Sequence, residues 1–229
     1  MNKSILALVA GLIAACSNYT AQAATVTIDG TKAWVGYMNV FDLTSGGGKG
    51  GYQFGSGWGL GDLKSTVTSN TTLKLEPNFN CYVNNPGDAY WRNGTIGNKF
   101  MEANTFVELG TGQSGVFTFT GNVDSFSLGS GYNVVAFIKG LNSGNGYADE
   151  LGQTAVINSG STSFSVSADL TGKSNLILQY GFMVSGINAN PDQIGLGSAV
   201  VSAVPEPSIV SLLGFGVASL IAVRLRRRS

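Results

Sequence analysis

The chain contains no histidine among its 229 residues. That absence removes the imidazole base of Ser-His-Asp and Cys-His machinery, together with the commonest transition-metal ligand. Cysteine is nearly as scarce, with only Cys16 and Cys81. Cys16 lies within a leader-like start, so Cys81 has no intrachain partner afterwards and disulfide stapling is excluded. The thiol is then either inert and buried, bridged to another chain, or reactive. Charge is sparse too, with Asp, Glu, Lys and Arg making up 11% of the chain. The formal net charge of zero hides an uneven spread, since four arginines fall in the last six residues. Between Ala24 and Ala203 there are 12 acidic residues against 8 basic ones, a balance of −4. A mildly acidic segment without a basic stripe has no electrostatic footprint for nucleic acid, and that partner is excluded. No phosphate-cradling loop occurs either. The glycines from Gly46 to Gly51 read as a turn between strands, without the Lys-Ser/Thr pair and helix such a loop needs.

What the chain does have is glycine, at 33 positions, and a hydrophobic fraction of 43% with aromatics throughout. Disorder is a poor fit to that composition. Short strands joined by tight turns suit it, because Gly supplies positive φ and Asn tolerates it. Strand signals fall at Thr25–Ile28, Ala33–Phe41, Thr72–Leu75, Phe100–Leu109, Val116–Thr120, Val134–Ile138, Ala155–Ile157, Ser163–Ser167, Leu176–Val184 and Ala199–Val201. Several alternate with period two, the mark of a strand with one wet face. Segments rich in Gly, Asn, Asp and Ser separate them, and no segment keeps a helical period between caps. About ten short strands predict an all-β, jelly-roll-like β-sandwich over residues 24–203.

The two ends read differently. Residues 1–23 place Lys3 before a short apolar stretch, Ile5 to Ala15, and end in Ala21-Gln22-Ala23, the layout of a signal peptide. Ile13-Ala14-Ala15-Cys16 also has the form of a lipoprotein box, which would leave Cys16 acylated. Residues 204–229 open with Val204-Pro205-Glu206-Pro207, and the two prolines close the domain because neither helix nor strand continues through them. An uncharged stretch from Ser208 to Val223 follows, then Arg224, Arg226, Arg227 and Arg228. As a helix the stretch is roughly 24 Å long, close to a membrane span once arginine stems snorkel. The arginines place the C-terminus on the cytoplasmic side and the domain opposite.

Pro205-Glu206-Pro207, an apolar helix and the cluster Arg224, Arg226, Arg227 and Arg228 resemble the PEP-CTERM sorting signal of bacteria. The resemblance implies recognition by an exosortase, an inner-membrane intermediate held by the C-terminal helix, and delivery to the cell surface or to extracellular polysaccharide. It covers only the tail. The segments GYMNVFDL, GSGWGLGDL, LKLEPN, GNKFMEANTFVE and LQYGFMVSGINANP resemble an uncharacterised β-sandwich module found ahead of such tails. That second resemblance supports fold and export and lends no chemistry.

Within the domain, three kinds of site can be weighed. Glu102 and Glu108 would share one face of an unbroken strand, with Asn104 and Phe106 between them. Six residues span about 20 Å, too far for a glycosidase pair, so either acid would need a partner on a neighbouring strand. Trp91, Tyr90, Asn93 and Trp58 sit among Gly, Asn and Asp rather than inside apolar runs. Rings in such surroundings stack on sugars while amides and carboxylates bind the hydroxyls, although large aromatics also serve as core plugs. Calcium would need oxygens from Asn84-Asn85-Pro86-Gly87-Asp88 or Asn188-Ala189-Asn190-Pro191-Asp192, which lack EF-hand spacing and also read as ordinary turns. The expectation is a non-enzymatic surface or matrix protein with a structural or binding role. A carbohydrate-binding module and a glycoside hydrolase are the rivals.

Overall fold

The computed structural model describes residues 24–193 and 195–205. The leader with Cys16, the apolar C-terminal stretch, and Glu206, Pro207, Arg224, Arg226, Arg227 and Arg228 lie outside the described residues. In chain order the strands are β1 (Ala24–Val26), β2 (Trp34–Leu43), β3 (Lys49–Gly57), β4 (Ser65–Ser69) and β5 (Thr72–Leu75). Then follow β6 (Arg92–Asn93), β7 (Ile96–Gly97), β8 (Phe100–Gly110), β9 (Val116–Phe126) and β10 (Asn133–Asn142). The last are β11 (Ala148–Asp149), β12 (Gln153–Ile157), β13 (Ser163–Asp169), β14 (Ile177–Ile187) and β15 (Ala199–Ser202). Two one-turn helices, α1 (Leu60–Leu63) and α2 (Asn80–Asn84), interrupt them.

All ten expected strands are present, several of them longer than their apolar runs. The additions have physical reasons. β6, β7 and β11 are two-residue bridges, too short to leave an alternation. β3 begins at Lys49, inside the glycine segment read as a turn, because pairing with β2 imposes the extended form that its composition conceals. Single helical turns cannot establish a 3.6-residue period, so α1 and α2 left no signal.

Two sheets form. One has β4, β5, β15 and β9 in order, with β13 on the far edge of β9 and β1 running parallel to the start of β9. The other has β3, β2, β8, β14 and β10 in order, with β11 and β12 both pairing β10. The second, of seven strands, is the broad sheet. The chain changes sheets between β12 and β13, whose SFSVSAD sequence alternates exposed and buried without a break.

Their facing sides carry one core. Phe119 of β9 lies 5.0 Å from Tyr180 and 5.3 Å from Phe182 of β14, and Phe164 of β13 stacks edge-on against Phe182 at 5.3 Å. Burying each such ring stabilises the fold by about 1.5–3 kcal/mol before ordering costs. Gly121 on β9 makes room for this packing, since a Cβ there would meet the Phe164 ring at 2.6 Å. Trp34 belongs to the same core, 9% exposed and stacked on Phe182, with its indole N–H donating to the Asp29 carbonyl at 2.9 Å.

Candidate functional site

Alternation along the broad sheet turns half of each strand away from the core. On β8 the outward residues are Glu102, Asn104, Phe106 and Glu108; on β2 they include Tyr37 and Asn39. On β10 and β14 they are Phe137, Lys139 and Leu141, and Ile177, Gln179, Gly181 and Met183. The register sets these in rows across the sheet, so that Lys139 faces Gln179 and Gln179 faces Glu108. The next row runs Phe137, Gly181, Phe106, Val35. Glycine at 181 leaves that row without a side chain in its middle, and it is required there, because a Cβ would collide with the backbone of Thr105 and Phe106. Tyr147 and Asp149, from the segment joining β10 to β12, wall one side. With Tyr37, Asn39, Asn104, Phe106, Glu108, Lys139 and Gln179 they line a trough of about 760 Å³.

Its polar groups are held in fixed positions. Gln179 donates its side-chain N–H to Glu108 Oε2 at 2.7 Å. Lys49 pairs with Glu102 at 2.6 Å. Asp149 Oδ1 accepts the backbone N–H groups of Gly140, Leu151 and Gly152, which fixes the wall. Lys139 lies along the floor, its Nζ 4.3 Å from the Phe137 ring centre and donating to Asn104 Oδ1 at 2.8 Å. Burial holds its ammonium below the usual lysine range, against the attraction of Asp149 and Glu102. Aromatic, amide and carboxylate groups on one concave surface suit a ligand with many hydroxyls and apolar ring faces.

Glu102 and Glu108 both face outward on β8, as the strand period requires. The same-face neighbours across from Glu102 are Ser185 and Asn39, and the one across from Glu108 is Gln179. Register therefore sets no second carboxyl directly opposite either acid.

The aromatics singled out from the sequence lie elsewhere. Trp91 and Tyr90 come together in the segment after α2, with ring centres 4.8 Å apart and planes at 84°. An edge-to-face pair offers no common stacking plane. Trp91 is half-buried and meets Phe54 edge-on, while the ammonium of Lys99 covers Tyr90 at 4.0 Å. Asn93 pairs with Ile96 in the β6–β7 ribbon and is exposed. Trp58, half-buried before α1, donates its backbone N–H to the Gly36 carbonyl, and its own carbonyl is one reason position 36 is glycine.

The two asparagine-rich segments serve the backbone. Asn85 donates to the Cys81 carbonyl, Asp88 accepts the Tyr90 N–H, and Asn190 donates to the Thr95 carbonyl. These oxygens and amides shape turns, and among the described residues no cluster of three His, Cys, Asp or Glu side chains could hold a metal ion. Cys81 is a buried free thiol, and burial together with Asp62 pushes its pKa up to about 12. Such a thiol is inert.

Sequence reasoning missed Tyr37, Asn104, Lys139, Tyr147 and Gln179. A signal existed for three of them. Asn104, Lys139 and Gln179 are polar residues inside largely apolar strands, where an entirely buried sheet would have none.

At the exit of the domain, Ala203 donates to the Thr71 carbonyl at 2.8 Å and Val204 to Thr27 Oγ1 at 3.0 Å. The last described residues thus lie beside the end of β1, with Pro205 next. The PEP-CTERM protein-sorting motif matches residues 203–228. The chain carries that sorting motif. It marks an exported protein sorted at the membrane by an exosortase system. No curated protein and no solved structure matches the chain.

Proposed function

We propose that the PEP-CTERM protein is a non-enzymatic component of the cell surface or extracellular matrix, and that its trough on the broad sheet holds a segment of polysaccharide. The carrying observation is the set of Tyr37, Asn39, Asn104, Phe106, Glu108 and Gln179 on one concave face. The Tyr37 ring supplies stacking area, while Asn39 and Glu108 supply donors and acceptors for hydroxyls, Asn104 being engaged with Lys139. A volume of about 760 Å³ lies within the range of small-molecule clefts. The sorting motif supports this reading, because it marks the chain for export. Hydrolysis is not part of this reading, because a glycosidase needs two carboxyls about 5–10 Å apart and the register puts amides and a hydroxyl opposite Glu102 and Glu108.

Affinity electrophoresis of the purified protein through gels containing neutral or acidic polysaccharides tests this reading. Retardation by at least one polymer, weakened in a Tyr37→Ala variant, is the expected result. Unretarded migration in every gel overturns it.

A further inference from the structure

Lys139 has an environment that its charge does not explain. Its side chain lies across the floor of the trough, over the gap that Gly181 leaves in β14, and reaches Asn104 two strands away. Buried ammonium groups are ordinarily matched by a carboxylate. Among the described residues Lys139, like Lys64 and Lys173, forms no ion pair, whereas Lys32, Lys49, Lys74 and Lys99 each do. The hydrogen-bond acceptor at its Nζ is Asn104 Oδ1 at 2.8 Å. Asn104 is 3% exposed and locked at its other end, with Nδ2 donating to the carbonyls of Glu102 at 3.0 Å and Tyr37 at 3.3 Å. The carboxamide cannot swing away, and Phe106 and Phe137 exclude water on either side, at 8% and 1% exposure.

We propose that Lys139 and Asn104 form an intramolecular isopeptide bond in the folded domain. The Lys139 Nζ lone pair attacks Asn104 Cγ, a Nζ–Cγ bond forms, and the Cγ–Nδ2 bond breaks. Nδ2 leaves as ammonia, carrying the proton that Nζ gives up, so no oxidant, reductant or co-reactant is consumed. Burial favours the neutral amine that the attack requires. Glu102 is the next outward residue on β8, its side chain 15% exposed and paired with Lys49, and its charge acts on Lys139. The product is a neutral amide, which relieves the cost of a half-buried cation without an ion pair. It also joins β8 to β10 across β14, in a domain whose described cysteine is a lone buried thiol.

Trypsin reads this bond directly. Between Lys99 and Lys173 the chain has Lys139 as its one trypsin site, so an unmodified chain yields Phe100–Lys139 and Gly140–Lys173. The bonded chain yields Phe100–Lys173 as one peptide, lighter than its sequence mass by one ammonia, because an acylated lysine is not cleaved. Digestion of the denatured full chain followed by mass spectrometry is expected to show that peptide as the main species. In Lys139→Arg, which keeps length and charge but resists acylation, cleavage after position 139 returns at full mass. A wild-type digest dominated by Phe100–Lys139 at full mass overturns the proposal, whatever the variants do.

Discussion

The hydroxyls of Ser65 and Thr105 share a hydrogen bond of 2.6 Å, and it joins the two sheets through the core. Ser65 opens β4 at 3% exposure, and Thr105 lies in the middle of β8 at 0%. Neither group has access to water, so each depends on the other. Thr105→Val leaves the Ser65 hydroxyl buried and unpartnered, and unfolding stability is expected to fall by about 1–3 kcal/mol. Adding Ser65→Ala should return most of that loss, since removing both partners leaves nothing unsatisfied. Urea denaturation of the two single variants and the double variant measures the coupling. Additive losses would show that the bond links nothing.

Legibility in the sequence followed the range of the interactions. β13 could be read from its alternation alone, and β8 and β14 from their apolar runs, because those patterns are local. Which sheet each strand joins could not be read. β9 and β13 pair across some forty residues of chain, and β1 joins β9 in parallel, a choice no local pattern encodes. The trough was hidden for the same reason, being assembled from β2, β8, β10, β14 and the segment before β12. Trp91 and Tyr90 drew attention because large rings among glycines stand out in a sequence. Their edge-to-face packing and the Lys99 ammonium over Tyr90 appear only in three dimensions.

Asn188 ties the β6–β7 ribbon to the broad sheet. Fully buried just after β14, it accepts the Lys99 N–H at 2.9 Å and donates to the Trp91 carbonyl at 2.8 Å. Asn188→Ala orphans the Lys99 N–H and takes one of two donors from the Trp91 carbonyl, which still accepts the Asn98 N–H at 3.0 Å, and a loss of about 1–3 kcal/mol is expected. Hydrogen exchange should show Trp91 to Lys99 losing protection before the core strands do. Uniform protection in the variant would mean that the ribbon is held by other contacts.

Two aromatic sites compete for any polysaccharide the protein binds. Tyr37 lies in the trough over Gly55, where a Cβ would come within 2.6 Å of its hydroxyl. Tyr37→Ala is expected to weaken binding about tenfold, equivalent to roughly 1.4 kcal/mol. Trp91→Ala should change affinity less than about twofold on the same scale. The opposite pattern in titration calorimetry would move the site to the β6–β7 ribbon.

Ending the chain after Ala203 keeps β15 and the Ala203–Thr71 bond, and among the described hydrogen bonds it removes the Val204–Thr27 one. Such a truncation is expected to be exported and recovered in the medium as folded protein. Fractionation with the membrane instead would point to acylated Cys16 as a second anchor.

Cys81 makes a pH-dependent contribution whose sign follows from its raised pKa. The folded thiol titrates at about 12 against 9.0 for the ordinary group, chiefly because burial disfavours the thiolate. Above pH 9 the unfolded chain therefore releases a proton that the folded chain keeps. The folded state binds more protons in that window, so stability falls as pH rises, and the thiol's contribution is fully present below pH 9. The slope approaches about 1.4 kcal/mol per pH unit between pH 9 and the folded value. Other groups titrate in the same range, and a Cys81→Ala variant removes their common effect. The stability difference between wild type and Cys81→Ala is expected to be flat from pH 6 to 8 and to move against the wild type above pH 9. A thiol reagent such as 5,5′-dithiobis-(2-nitrobenzoic acid) should leave the native protein unmodified at pH 8 and label it on unfolding. Rapid labelling of the native state would mean that Cys81 is accessible and ionised, and the pH dependence would then be absent.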